Sequence, residues 1–157
     1  MEKLIKTTNY LLLLTLFLIT IAGCSDRSDH YERSVGAFKF RIHPTIEADS
    51  KSKFMHFKIS LATDQVQRDL VEFLKEKSGE SAQSILYYLS YRMQKDIYLE
   101  VDGIKLDNVL YHFERSFDLK NERVMTVAFE APLKDNQTTR LVIDSQLLNS
   151  GPVKFKI

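Results

Sequence analysis

The chain has 157 residues, 44% of them hydrophobic and 27% charged, with 22 Lys and Arg against 21 Asp and Glu. That balance argues against a nucleic-acid binder, which needs a basic face to displace counterions from phosphates, and against a membrane-surface protein held by charge. A single cysteine permits neither an intrachain disulfide nor a cysteine-clustered zinc site, so the fold must rest on packing.

The amino-terminal stretch has the three parts of a secretory signal. Lys3 and Lys6 precede an apolar run, which closes on small residues at Ala22 and Gly23. The unbroken run from Tyr10 to Gly23 is shorter than the ~20 apolar residues of a spanning helix. Ile21-Ala22-Gly23-Cys24 resembles the lipobox of bacterial lipoproteins: an aliphatic residue, two small residues, then cysteine. The resemblance covers residues 1–24 only. It implies cleavage between Gly23 and Cys24, a diacylglycerol on the Cys24 thiol and an acyl chain such as palmitate on the new amine. Two or more chains hold a protein stably at a membrane, whereas one does so only marginally. Removing residues 1–23 leaves 134 residues with 20 charges of each sign, a length suited to one domain.

Ser25–Gly36 is polar and without hydrophobic period, which predicts a flexible tether over residues 24–36, reaching at most ~40 Å. Serine follows the cysteine where the enterobacterial inner-membrane retention signal would be aspartate. By that resemblance the destination is the outer membrane, lipid-anchored. Asp26 and Asp29 resemble the acidic export signals of Bacteroidetes surface lipoproteins, so both the periplasmic face and the cell surface stay open.

A period of two begins at Ala37. Phe38, Phe40 and Ile42 alternate with Lys39, Arg41 and His43, and Met55, Phe57, Ile59 and Leu61 repeat the pattern after a polar loop. Helical spacing follows at Val66, Leu70, Phe73 and Leu74, with a capping box at Asp64 and Gln67 and a stop at Gly79. A second helix is predicted from about Ser81 to Lys95, with Ile85, Leu86, Leu89 and Met93 on one stripe. Strands return at Ile97–Val101, turn at Asp102-Gly103, and continue over Lys105–Phe117 with Val109, Tyr111 and Phe113 inward. Val124–Ala131, Leu141–Ser145 and Val153–Ile157 complete about seven strands. The expected domain, residues 37–157, is mainly β: an antiparallel β-sandwich, immunoglobulin-like or transthyretin-like, with a helical hairpin inserted at about 64–95.

The sequence offers little chemistry. His112 and Glu114 share one strand face about 6.6 Å apart, a weak start for a metal site that His30, His43 or His56 would have to complete. No serine lies in a Gly-x-Ser-x-Gly elbow. Asp102 and Asp107 read as turn formers, and the five glycines are scattered singly. No cofactor and no catalytic residue is expected.

The second helix is the better working surface. Tyr87 and Tyr91 stand opposite the Ile85, Leu89 and Met93 stripe, beside Arg92, in the composition of a protein-interface hot spot; the alternative is that both helix faces are buried, one on the sheet and one on the first helix. The expected role is therefore that of a non-catalytic lipoprotein binding other envelope proteins as a structural or assembly subunit. By architecture it is similar to small lipoprotein subunits of type VI secretion membrane complexes. The alternatives are a surface module for a glycan or other small ligand and, further off, a metal-dependent hydrolase.

Overall fold

The structure is a computed structural model and describes residues 30–45, 54–65, 68–115, 122–130 and 137–157. The lipobox, the tether as far as Asp29, and Val66 and Gln67 lie outside the described residues.

Two antiparallel sheets face each other. The five-stranded sheet runs β1 (Tyr31–Val35), β2 (Phe38–Thr45), β3 (Phe54–Thr63), β7 (Glu122–Glu130), β6 (Leu110–Phe113). The four-stranded sheet runs β5 (Ile104–Asp107), β4 (Ile97–Val101), β8 (Thr139–Ile143), β9 (Val153–Lys156). The expected β-sandwich with a helical insert is therefore present. Its period-two phase follows the sequence: Phe38, Phe40, Ile42, Met55, Phe57, Ile59, Leu61, Met125, Val127 and Phe129 are all buried between the layers. Phe57 meets Phe129 edge-on at 5.9 Å within one sheet, and Phe40 meets Phe155 at 6.4 Å across the two.

The described residues form nine strands rather than about seven, for two reasons. The first strand lies within the expected tether. Tyr31–Val35 pairs with Phe38–Ile42, joined by a two-residue turn in which Gly36 takes φ 60°. At this sheet edge Glu32, Arg33 and Ser34 stay exposed while Tyr31 and Val35 pack on the core, so the strand has no strong hydrophobic period to read.

The second reason is a break in the expected strand at 105–117. Asn108 donates its side-chain amide to the carbonyls of Gln94 (2.6 Å) and Ile97 (2.8 Å). The chain thereby crosses from β5 in one sheet to β6 in the other. Val109, expected inward, is 59% exposed at this crossing.

The helical insert starts later than its expected cap. Asp64 lies in a bend after β3, and α1 (Leu70–Ser78) is capped by Asp69, whose Oδ1 accepts from the N–H groups of Val71 and Glu72. Thr63 donates its hydroxyl to the Gln65 and Arg68 carbonyls. Gly79 ends α1 at φ 75°, and Ser81 caps α2 (Ala82–Tyr87). The second helix then changes pitch: a π-helical turn over Tyr88–Arg92 and a 3-10 turn over Met93–Asp96 lead into β4. Ile85, Leu89 and Met93 are fully buried, while Leu86, expected on that stripe, is 40% exposed.

Candidate functional site

The side chains opposite the buried stripe of α2 form a small aromatic surface. Tyr87 and Tyr91 are 58% and 53% exposed, with ring centroids 5.3 Å apart. Both therefore stand outside the core. Their cationic neighbour is Arg115, just beyond β6. Its guanidinium lies 5.5 Å from the centre of the Tyr91 ring and donates to the Tyr91 hydroxyl at 2.7 Å. A planar cation so held needs little further ordering when a partner arrives.

Arg92, the cation expected beside the tyrosines, also borders a cleft. It is exposed and lines this open cleft of about 400 Å³ with Lys77, Ser78, Glu80, Tyr88 and Asn149. The π-helical turn that carries Arg92 is closed by the Met93 N–H on the Tyr88 carbonyl, one residue longer than an α-turn. Much of the cleft's polar lining is already engaged. The Lys77 ammonium donates to the Leu148 carbonyl at 2.8 Å and sits over the Phe38 ring, while Glu80 accepts the Ser84 hydroxyl at 2.7 Å.

Two further tyrosines, Tyr88, which the sequence did not single out, and Tyr111, expected inward, fasten the π-helical turn to the sheets. Tyr88 shares its hydroxyl between Asp96 and Ser145, the latter at 2.7 Å. Burial first, and then the Asp96 hydrogen bond, pushes its pKa up to about 12. Tyr111 on β6 donates its hydroxyl to the Leu89 carbonyl, and burial raises its pKa further still. Both phenols are held as neutral donors at ordinary pH, which suits positioning rather than base chemistry. The signal that could have found Tyr88 was its place between Tyr87 and the buried Leu89, half-way round the helix.

The His112–Glu114 pair is not brought to a third ligand. His112 is exposed opposite Thr126, and Glu114 pairs with Lys58 at 3.5 Å. His43, stacked on His30 with centroids 5.6 Å apart, lies three strands away from His112 in the sheet order, about 14 Å at the usual strand spacing. Among the described residues no group of three or more His, Cys, Asp or Glu is placed to hold a metal ion.

No protein-family model, curated protein or solved structure matches the chain. The class that its fold defines is a two-sheet antiparallel sandwich with a helical insert.

Proposed function

We propose that the chain is a bacterial outer-membrane lipoprotein, cleaved between Gly23 and Cys24 and lipidated on Cys24, whose sandwich acts as a non-catalytic binding or assembly subunit for other envelope proteins. The observation that carries the binding role is the exposed Tyr87–Tyr91 pair with Arg115 fixed against it. Tyrosine and arginine are the residues enriched at interface hot spots, and here they form one ordered surface. The lipobox at Ile21–Cys24 supports the address. A secretion apparatus of type VI kind is one assembly that would use such a subunit.

Crosslinking in membranes followed by affinity capture of the full chain tests the reading. Defined envelope partners are expected, lost in the Tyr87→Ala plus Tyr91→Ala double variant while the yield of folded protein is unchanged. The binding role fails if the double variant captures the same partners. A small ligand such as a glycan is the second reading, favoured by the cleft that Arg92 and Asn149 border. Specific binding on a glycan array, lost with Arg92→Ala, would replace the first reading with the second.

A further inference from the structure

We infer that one end of the five-stranded sheet is a membrane-contact face, on which Phe54, Val109 and Leu110 insert into the headgroup region of the bilayer that holds the lipid. This deepens the proposed function, since it rests on lipidation of Cys24.

The register places these residues together. Tyr31 begins β1 opposite Ile42, near the end of β2. Thr45, the last residue of β2, pairs with His56 of β3; His56 pairs with Ala128 of β7; and Ala128 pairs with Leu110 at the start of β6. The amino-terminal end of β1, the start of β3 and the start of β6 therefore lie at the same end of one sheet. Leu110, His56 and Phe54 share its outer face, because the alternate residues Met55, Phe57, Val127 and Phe113 are buried. Phe54 is 45% exposed, Leu110 46% and the adjoining Val109 59%.

The flanking groups suit an interface between apolar and wet surroundings. His56 lies against Phe54 with ring centroids 6.5 Å apart, and His43 on the neighbouring strand β2 stacks on His30, which precedes β1. Rings with a polar handle favour headgroup depth.

Chain length selects the occupant. Cys24 is six peptide steps from His30, a span of at most about 21 Å. A lipid on Cys24 thus tethers the domain by the very end of the sheet that carries the exposed apolar trio. No comparable constraint favours a protein there. The tyrosine surface adjoins Arg115, past the opposite end of β6, and stays clear of the bilayer. A few shallow apolar side chains add to an acyl anchor in proportion to the area buried, and orient the domain as they do so.

The chain has no tryptophan, so a single introduced one reports its own surroundings. The full chain carrying Phe54→Trp, Leu110→Trp or Tyr91→Trp would be purified and reconstituted in vesicles of phosphatidylethanolamine and phosphatidylglycerol. Acyl chains brominated near the headgroup should quench emission from Phe54→Trp and Leu110→Trp by roughly half or more, and leave Tyr91→Trp near its value without bromine. The proposal is overturned if the two face probes are quenched no more than Tyr91→Trp. It is also overturned if they shift to the blue without quenching, which would place a second copy on the face. Mass spectrometry of the same preparation reads the anchor separately. A lipid on Cys24 with no quenching sinks the face alone, and no lipid sinks the anchor reading while the quenching still decides the face.

Discussion

Asp69 and Arg123 tie the helical insert to the sandwich through one carboxylate. Oδ1 of Asp69 caps α1, and Oδ2 pairs with the Arg123 guanidinium on β7. Arg123 faces the interior side of its strand, opposite Leu61, with its side chain only 15% exposed. Its Nε is buried with no hydrogen-bond partner among the described residues. An inward arginine at the end of a sheet is tolerable only while its charge is met, and Asp69 meets it.

The two roles of Asp69 can be separated by substitution. Asn caps a helix about as well as Asp but carries no charge, so Asp69→Asn isolates the ion pair. Loss of one partner of a partly buried pair is expected to cost on the order of 1–3 kcal/mol. Asp69→Ala should cost about 1 kcal/mol more, the worth of the cap. Urea midpoints of Cys24→Ser protein at neutral pH give both numbers. Equal losses in the two variants would mean that the cap contributes nothing.

Much of this fold was legible because its core strands alternate cleanly. Phe38–Ile42, Met55–Leu61 and Met125–Phe129 each present their large side chains at every second position, and each is buried as that phase requires. β1 was hidden because an edge strand needs only Tyr31 and Val35 on the core. The Asn108 break was hidden because the two amide hydrogen bonds that bend the chain join residues distant in sequence. The capping box at Asp64 misled because local spacing cannot weigh Asp69, whose second oxygen finds Arg123 54 residues away. At the candidate site the helical phase set Tyr87 and Tyr91 opposite the buried stripe, but phase alone does not decide between solvent and packing on the first helix, and the structure exposes both. Arg115 could not be seen beside them, since β6 comes to α2 only through tertiary packing.

Stability should fall at high pH through Tyr88. Its folded pKa of about 12 lies above the ordinary 10.0, so the folded state holds the proton more tightly than the unfolded chain. The contribution is complete below pH 10 and is lost as pH rises toward about 12. Tyr111 acts in the same direction. Tyr88→Phe removes one of these titrations and costs about 1–2 kcal/mol at neutral pH, from the hydrogen bonds lost at Asp96 and Ser145. Urea midpoints from pH 8 upward should therefore decline less steeply in Tyr88→Phe than in the parent. Parallel curves would remove Tyr88 from the account.

Gly103 is the position where a side chain is least tolerable in the β4–β5 hairpin. Asp102 and Gly103 take φ 49° and 83° between Val101 and Ile104, the geometry of a two-residue turn with both central residues left-handed. A Cβ at Gly103 meets no atom within 4 Å, so the cost of Gly103→Ala is conformational alone, about 1 kcal/mol. Asp102→Gly relieves its own φ but surrenders the hydrogen bond that Asp102 Oδ1 accepts from the Thr138 N–H at 2.9 Å. It should therefore change stability by less than Gly103→Ala does. Thermal midpoints of the two variants rank them, and the reverse order would locate the strain at Asp102 instead.

The free edge at β9 is guarded by charge, and removing the guard should make the protein self-associate. β9 lies at one margin of the four-stranded sheet, and its partner bonds run through Ile157 to the Thr139 carbonyl. In an antiparallel ladder that phase turns the backbone groups of Lys154 and Lys156 outward. Arg33, on the core-facing phase of β1, reaches across and donates to the Lys154 carbonyl at 2.9 Å. The Lys154 ammonium pairs with Glu100 at 3.1 Å, which Arg140 also holds. These are exposed pairs and stabilise the fold little. Their effect is on pairing, because lysines and an inward-phase arginine at an edge oppose docking of another strand. Lys154→Val plus Lys156→Val should leave the thermal midpoint within a few degrees of the parent and shift Cys24→Ser protein from monomer toward dimers and larger species in size-exclusion chromatography, with Arg33→Ala strengthening the shift. Arg140→Val, on the neighbouring strand inside the sheet, removes a charge of the same sign without freeing an edge, and should remain monomeric. If Arg140→Val associates as strongly as the double variant, surface charge in general keeps the chain apart, and the edge at β9 has no special part in it.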